Sequence, residues 1–367
     1  MQRMLVTVTV IALVLASLAA GALMAHWPFW HRAWQWHSAA GQWPEDLPGP
    51  TQVLQPAAAP LPLRVMTDAR LAPRAGDEAT RMVLVGDVRG WVAYWSAPSQ
   101  DIHSPIDGRG LAQGLLAPLF GALQQRSSTP VLDVPLRVLL EDWRQDARGA
   151  ITPRQLLWEM SGLADDEFRP FDPFSARAQL ASGPDFNRAA LNTRLAWPPG
   201  SHFEPAPANA QLLSLAAGLL DGGGYAMALQ RNLWGRFAEH EASGMIDHRR
   251  GNLAAHCCLR AAPLDWLRLG LVLAADGVIE AERVLPAGFV AQMALSSPVH
   301  PSYGLGYQLA ETRGSPVLVL PTSGRRLSIS PATGRVVLWV GDGTAPAWLD
   351  ELLSPAMVDL ADNAKGR

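Results

Sequence analysis

The stretch that decides the fold is Asp107-Gly-Arg-Gly-Leu-Ala-Gln-Gly-Leu-Leu-Ala-Pro-Leu-Phe-Gly-Ala-Leu-Gln-Gln125. Its large apolar residues recur at helical spacing and cover a broad face, which predicts a deeply packed helix over 111–125. Asp107 is a candidate N-cap, because its side chain can accept a hydrogen bond from a backbone N–H of the first turn. Pro118 is expected to kink the helix. The apolar positions are Leu111, Leu115, Leu116, Leu119, Phe120 and Leu123.

Composition bounds the class of protein. The chain has 367 residues, 49% hydrophobic and 17% charged, which suits a globular protein with a sizeable core. A net charge of −3 argues against nucleic acid as a partner. Basic charge is carried almost wholly by arginine, because Lys365 is the single lysine.

The two cysteines, Cys257 and Cys258, are adjacent. Neighbouring residues rarely meet disulfide geometry, so we expect no disulfide. A redox pair is the alternative interpretation, and two small buried residues are the favoured one.

The N-terminal segment predicts a membrane anchor. Met4–Met24 is 21 residues long and carries no charge, which is enough to span a bilayer core of about 30 Å. A cleaved signal peptide, with Ala20-Gly21-Ala22 as the cleavage site, is the alternative. Arg3 keeps the N-terminus cytoplasmic, so the remainder is expected in the periplasm or outside the cell, on a single-pass anchor in a bacterial inner membrane. The residues up to 37 are rich in Trp and His and predict an interfacial aromatic belt.

Domain boundaries follow from composition. Residues 1–37 form the predicted anchor and aromatic segment, and residues 38–61, rich in Pro, Ala and Gln, form an extended linker. Residues 62–363 form one domain.

The order of elements predicts the fold class. Met82–Val85 and Trp91–Trp95 read as a hairpin, many helices follow, and strands then return near the C-terminus before a closing helix at Pro346–Pro355. The natural arrangement is α/β: an antiparallel sheet built from both chain ends and flanked by helices, with a mostly helical inserted region. The late strands are expected at Tyr303–Ala310, Pro316–Leu320, Arg326–Ser330 and Arg335–Val340.

Start and stop signals place the helices. Thr152 as N-cap and Pro153 at the first position begin one helix, which Gly162 ends. Asn209 is expected to cap Ala210–Leu220, and the glycines after it end that helix rather than cradle a phosphate. Further helices are predicted over Leu136–Trp143, Tyr225–Phe237 and Leu264–Ala275.

These segments, in this order, resemble the serine β-lactamase and penicillin-recognising hydrolase superfamily, and most of all its class C, esterase and 6-aminohexanoate-dimer hydrolase branch. The resemblance covers about Met82 to Asp342. It implies a serine β-lactamase-like, DD-peptidase-like fold. It is carried by Leu132-Asp-Val-Pro135 with Trp143, Ile151-Thr-Pro-Arg-Gln-Leu-Leu157, Met160-Ser-Gly-Leu163, Pro199-Gly-Ser-His-Phe203, Asn209-Ala-Gln-Leu-Leu213, Asp265-Trp-Leu-Arg-Leu-Gly270 and Tyr303-Gly-Leu-Gly-Tyr307.

The resemblance implies three catalytic boxes, and each is degenerate here. The Ser-x-x-Lys box places Asp107 at the serine position and Gly110 at the lysine position. The Tyr-x-Asn box falls on Pro205 and Pro207, which offer no side-chain hydrogen bond. The Lys-Thr-Gly or His-x-Gly box falls near Thr322-Ser323-Gly324, where only the glycine matches well.

The missing lysine implies that the inherited mechanism is absent. Lys365 lies beyond the last predicted element, and arginine does not give up its proton in proteins. A relocated serine–histidine pair is the alternative, with Ser104 as nucleophile and His103, His202 or His256 as base. No metal-ligand spacing occurs, so neither a metal nor another cofactor is predicted.

Three hypotheses follow. The first is a diverged homologue that no longer hydrolyses and binds a peptide, a cell-wall fragment or a protein in its cleft. The second is an ester or amide hydrolase with relocated residues. The third is a structural envelope protein. A wide pocket with Asp107 facing Thr322 favours the first, a serine within about 3 Å of a histidine favours the second, and a cleft filled by side chains favours the third.

Overall fold

A seven-stranded sheet is the centre of the fold. The computed structural model describes residues 11, 14–17, 20–21, 24, 27–38, 50–74 and 77–356. The strands are β1 (Thr51–Leu54), β2 (Arg64–Thr67), β3 (Thr80–Asp87), β4 (Trp91–Ser96), β5 (Ile106–Asp107), β6 (Ala242–Met245), β7 (Leu259–Ala261), β8 (Val278–Ile279), β9 (Glu282–Arg283), β10 (Gln308–Thr312), β11 (Ser315–Thr322), β12 (Arg325–Ser330) and β13 (Arg335–Gly341).

Apart from the first, the α-helices lie in the chain between the N-terminal and the C-terminal strands of the large sheet. They are α1 (Trp27–Ser38), α2 (Leu116–Gln125), α3 (Pro153–Leu157), α4 (Ala176–Ser182), α5 (Phe186–Leu191), α6 (Pro207–Asp221), α7 (Tyr225–Phe237, with a π-helical turn at Gln230–Trp234), α8 (Pro263–Ala274) and α9 (Phe289–Met293). The predicted helices at 225–237 and 264–275 are therefore confirmed to within one residue.

The large sheet joins both ends of the chain, as predicted. Its order is β10-β11-β12-β13-β3-β4-β2, and all neighbours are antiparallel except β2 and β4. The predicted hairpin is confirmed, with Val85 opposite Ala93, and β13 closes onto β3, with Leu338 opposite Leu84. A second sheet, β1-β6-β7-β5, carries the segment that leads to Asp107.

The two faces of the large sheet are both covered. Alternate residues such as Leu84 and Leu338 belong to the main core, which includes the apolar face of α8. The opposite face presents Val85 and Trp339 to the closing segment. That segment is a 3-10 helix over Ala347–Leu353 rather than the α-helix expected at 346–355.

The stretch from Asp107 to Gln125 contains a 3-10 helix followed by an α-helix. Arg109–Leu115 is a 3-10 helix, and the α-helix begins only at Leu116. The predicted N-cap position is wrong by one residue, because Asp107 lies on β5 and Gly108 precedes the helix. The expected hydrogen bond is nevertheless present, since the Asp107 carboxylate accepts the backbone N–H of Arg109 in the first turn. Pro118 does not interrupt α2, because it falls in the first α-helical turn, where its missing N–H is not needed.

The capping signals were correct in part. Thr152 and Gln155 form a complete capping box at α3, but that helix ends at Leu157, well before Gly162. Asn209 is not a cap, because α6 already begins at Pro207 and Asn209 lies inside it. Gly222 ends α6 in the left-handed region, as expected. The helix expected at 136–143 is instead two 3-10 turns, Leu136–Val138 and Glu141–Trp143.

The fold begins earlier than residue 62. Strand β1 pairs with β6, and Leu54 is buried in the core, so the second part of the predicted linker is folded. Helix α1 packs through Phe29 and Ala33 against Ala178 of α4, while Trp27 and Trp34 are exposed.

Most of the predicted anchor at Met4–Met24 lies outside the described residues, and so does Lys365. Among the described residues, no single helix has the length and apolarity needed to cross a membrane; α6 and α7 reach them only as a pair bent by 73°.

The prediction of unpaired cysteines is wrong. Cys257 and Cys258 form a disulfide between neighbouring residues, and their Cα atoms are 3.7 Å apart. Cys258 takes a φ of +70°, a backbone conformation that the sequence pattern did not indicate and that accompanies closure of this small ring.

Candidate functional site

Asp107 and Thr322 meet at one corner of the fold, where β5 leads into the 3-10 helix and β11 ends. Gly110 N–H approaches Thr322 Oγ1 at 3.4 Å. A Cβ added at Gly110 would lie only 3.1 Å from Thr322 Cβ. The position that the resemblance gives to a lysine therefore lies directly against the strand. We call Asp107, Gly110, Thr322, Ser323 and Gly324, with the arginines bound to them, the corner.

Two arginines tie the corner together. Arg109 donates from Nη1 to the Ser323 carbonyl oxygen and, at 3.4 Å, to Ser323 Oγ. Arg325 donates from Nε to the Asp107 carbonyl oxygen at 3.1 Å and from Nη1 to the Gly324 carbonyl oxygen at 2.7 Å. Gly324 has a φ of +72°, and a side chain there would collide with the Gly341 carbonyl oxygen and with Arg109. These contacts hold the β11–β12 turn against the start of the 3-10 helix.

Only one of the two carboxyl oxygens of Asp107 has a hydrogen-bond partner. Its Oδ1 accepts the Arg109 backbone N–H at 2.9 Å, and Oδ2 is buried without a hydrogen-bond partner. Burial raises the pKa of Asp107, and Arg109, Arg325 and Arg260 oppose that rise. Burial and the nearby Arg109 lower the pKa of Arg325 to about 10, so its guanidinium remains charged at neutral pH.

Pro205 and Pro207 lie beside a second polar cluster, which is buried. Glu159 Oε2 accepts hydrogen bonds from Asn209 Nδ2 and, at 3.3 Å, from the Ala206 N–H. Ser161 Oγ donates to Asn209 Oδ1 at 2.6 Å. Burial raises the pKa of Glu159 to about 8, so the carboxyl group is mostly protonated at neutral pH. Glu159, Ser161 and Asn209 are called the Glu159 cluster below.

Ser104 and His103 lie on an exposed loop, and they are not paired with each other. Ser104 Oγ donates to Asp101 Oδ2 at 2.8 Å. His103 Nδ1 lies 3.2 Å from His240 Nε2, and His240 Nδ1 lies 2.9 Å from Asp265 Oδ2. The structure thus forms an Asp–His–His chain, without a hydrogen bond from the serine to a histidine.

The other candidate bases are separate from the corner. His202 stacks on Trp197 and lies 3.6 Å from Glu204. His256 is half-buried, its ring lies edge-on to Phe186, and its Nδ1 is buried without a hydrogen-bond partner. Loss of solvent lowers the pKa of His256 to about 4, which keeps the ring neutral. Within the described parts of the chain, no three histidine, cysteine or acidic side chains are grouped as metal ligands.

Solved structures share this architecture. A protein assigned as a 6-aminohexanoate-dimer hydrolase from Bacillus anthracis superposes with a TM-score of 0.65 at 15% identity, over 86% of this chain and 92% of that one. A protein assigned as a β-lactamase from Bacteroides dorei gives a TM-score of 0.57 at 17% identity, over 77% and 92%. A penicillin-binding protein from Bacillus halodurans gives 0.55 at 15%, over 77% and 97%.

The chain has the fold of the serine β-lactamase and penicillin-binding protein superfamily. The resemblance found in the sequence is therefore confirmed for the fold. No protein-family model matches the sequence, and no curated protein matches it either.

The sequence did not single out Arg109, Arg325 or Glu159. Arg109 and Arg325 had one visible signal, which was that arginine supplies nearly all the basic charge of a chain with a single lysine. Glu159 had a weaker signal, an acid inside the apolar run Leu156–Met160.

Proposed function

We propose that this chain is a non-hydrolysing relative of the superfamily's hydrolases that acts by binding. The observation that carries this proposal is the corner. Gly110 lies against Thr322, and Arg109 and Arg325 bridge the space between the 3-10 helix and the β11–β12 turn. Nothing at Asp107 or Gly110 supplies a nucleophile with a base, which acyl transfer in this superfamily requires.

The filled corner also bears on the choice between binding and a structural role. By the criterion given above, side chains that fill the catalytic position favour a structural role for that position itself. Binding is therefore proposed for the open surface beside the corner, where the ends of β11 and β12 and the loop after β13 line a groove of about 530 Å³. A peptide, a cell-wall fragment or a protein partner remains the proposed ligand class. If no ligand binds, a purely structural role in the envelope becomes the proposed function.

The test is covalent labelling of the full chain. The protein is incubated with a fluorophosphonate and with a fluorescent penicillin, and intact mass reports any adduct. An active serine β-lactamase treated in parallel is the positive control for both reagents. We expect no adduct on protein that melts cooperatively, and a stoichiometric serine adduct would overturn the proposal.

A relocated hydrolase is the second candidate, and the Asp265–His240–His103 chain is the observation that favours it. Such a chain can hold a histidine in one tautomer and strengthen it as a base. Ser104 donates to Asp101 instead, which counts against it. If labelling occurs, loss of the adduct in Ser104→Ala but not in Ser323→Ala supports this candidate.

We further propose that the domain is tethered to the inner membrane by its N-terminal segment, with the domain on the periplasmic side. The support is the uncharged length of Met4–Met24 and the preceding Arg3. Extraction of membranes with alkaline carbonate tests this: the full chain should stay in the pellet, and release into the supernatant would contradict the proposal.

A further inference from the structure

Two histidines meet outside the corner, where the loop between β4 and β5 contacts the segment between α7 and β6. His103 Nδ1 and His240 Nε2 lie 3.2 Å apart, and the planes of the two rings are inclined by 60°. The residues are 137 positions apart in the chain, so no local spacing indicates the pair. His103 is exposed and His240 is half-buried, so a solute can reach both rings.

A buried carboxylate fixes the orientation of one of these rings. Asp265 Oδ2 lies 2.9 Å from His240 Nδ1, and the other oxygen accepts the Glu239 N–H at 2.8 Å and Arg268 Nη1 at 2.9 Å. Because a carboxylate accepts hydrogen bonds, the ring proton of His240 lies on Nδ1, and the lone pair lies on Nε2, the atom that faces His103. A carboxylate that holds a histidine in this way is typical of metal-ligating histidines.

The separation of the two ring nitrogens suits a metal ion. Zinc binds histidine nitrogens at about 2.0–2.1 Å with tetrahedral angles, which places two such nitrogens about 3.3 Å apart. The observed 3.2 Å is close to this value. A hydrogen bond between the two rings needs one proton, on His103 Nδ1, and a metal ion would take its place while the proton leaves to solvent.

The surroundings of the pair carry an excess of negative charge. Asp101 Oδ1 accepts the His103 backbone N–H at 3.1 Å, and the charge of Asp101 acts on both rings. Asp265 and Glu239 add two further carboxyl groups, and Arg268 binds to both of them. Three acids thus face one guanidinium group, which favours a cation between the rings.

We infer that His103 and His240 form a binding site for Zn²⁺, with His103 Nδ1 and His240 Nε2 as ligands and Asp265 as the group that holds the His240 ring. Water completes the coordination, as in zinc sites that keep open positions. This use of the histidine chain differs from the relocated hydrolase, because a bound metal takes the lone pairs that a general base needs. The site lies apart from the corner, so the inference does not depend on whether the chain binds a ligand there.

Calorimetry on the untagged full chain in a non-ionic detergent measures the binding, with Zn²⁺ and Mg²⁺ as probes. We expect Zn²⁺ to bind with a Kd below about 100 µM. Mg²⁺ should not bind, because it prefers oxygen ligands. No Zn²⁺ binding in this range would overturn the inference, and so would Mg²⁺ binding of equal strength, which would assign the attraction to the carboxylates alone.

Variants assign the binding to the histidine pair. His103→Ala and His240→Ala should each lose one bound Zn²⁺ per chain. His248→Ala is the matched control, because His248 Nδ1 also lies 2.8 Å from a buried aspartate, Asp247, but its ring contacts the Pro184 carbonyl oxygen instead of a second histidine. Zn²⁺ bound by other histidines remains in all three variants, so the difference in stoichiometry reports this site.

Thermal melts give a second measurement. Zn²⁺ should raise the melting temperature of the parent chain and of His248→Ala, and it should raise that of His103→Ala less, because a ligand that binds the folded state stabilises it. His103 is exposed on its loop, so His103→Ala decides the question even if His240→Ala does not fold. The same Zn²⁺ stoichiometry in His103→Ala and in the parent would overturn the inference.

Discussion

Two buried carboxyl groups, Glu159 and Asp107, lie in the same domain, and burial raises the pKa of both. At Glu159 the hydrogen bonds from Asn209 and the Ala206 N–H oppose that rise only in part, and the pKa is about 8. At Asp107 the opposing groups are the Arg109 backbone N–H and the charges of three arginines. The difference shows that burial by itself does not define a site: neutral donors surround the Glu159 carboxyl group, and cationic groups surround that of Asp107.

The largest expected effect is the pH dependence contributed by Glu159. Its pKa is raised in the folded state, so an unfolded chain releases this proton first as pH rises. Stability is therefore greatest below about pH 4.5, falls as pH approaches 8, and then levels. The full shift is worth up to about 5 kcal/mol of unfolding free energy. Glu159→Gln keeps the acceptor oxygen and should remove this loss, as seen in urea melts between pH 5 and 8.

The exposed Glu167 supplies the control for this measurement. Glu167→Gln should leave the pH dependence of the free energy of unfolding as it is in the parent chain. If the free energy of unfolding changes with pH equally in Glu159→Gln and in the parent, Glu159 is ionised in the folded protein.

The next effect is the loss of the amide that links the Glu159 cluster. Asn209→Ala removes the donor to Glu159 and the acceptor for Ser161, both buried, and should cost about 3 kcal/mol. Because Ser161 loses its acceptor in that variant, adding Ser161→Ala should cost less than Ser161→Ala alone costs the parent. Strict additivity in this double-mutant cycle would contradict the hydrogen bond.

The sequence predicted the sheet well because its signals are local. Alternating apolar residues and turn residues indicate the hairpin and the late strands directly, and Thr152-Pro153 marks the start of α3 by capping chemistry. Asn209 is not the cap that its place before an apolar run predicts, because Pro207, two residues earlier, carries the same start signal as Pro153.

The candidate site was harder to predict because it depends on contacts between distant segments. Thr322 reaches Gly110 across more than two hundred residues, and Arg325 binds the backbone of Asp107 over a similar separation. The sequence around residue 107 contains no local pattern that indicates these contacts. The resemblance names Asp107, Gly110 and Thr322 as motif positions, and the structure places Gly110 against Thr322. The resemblance gives no indication of the arginines that occupy the space around them.

The corner gives a smaller effect through its close packing. Gly110→Ala places a Cβ 3.1 Å from Thr322 Cβ, so the strand must shift slightly, and we expect a loss of about 1 kcal/mol. Gly108→Ala is the sharper comparison, because its Cβ would lie 2.4 Å from Trp266 Cζ2 and 2.9 Å from the Leu259 carbonyl oxygen. In thermal melts, the melting temperature of Gly108→Ala should be well below that of Gly110→Ala. A melting temperature of Gly110→Ala equal to that of the parent chain would show that the corner has free space.

The smallest effect is expected at Asp107 itself, and it sharpens the comparison with Glu159. Asp107→Asn keeps the oxygen that accepts the Arg109 N–H, and it removes both the cost of burying a charge and the attraction of three arginines. These contributions oppose each other, so the free energy of unfolding at pH 7 should change by less than about 1 kcal/mol. Urea melts of Asp107→Asn and Glu159→Gln under one condition test this. A gain in Asp107→Asn as large as that in Glu159→Gln would mean that the three arginines do not offset the cost of burying the Asp107 carboxylate.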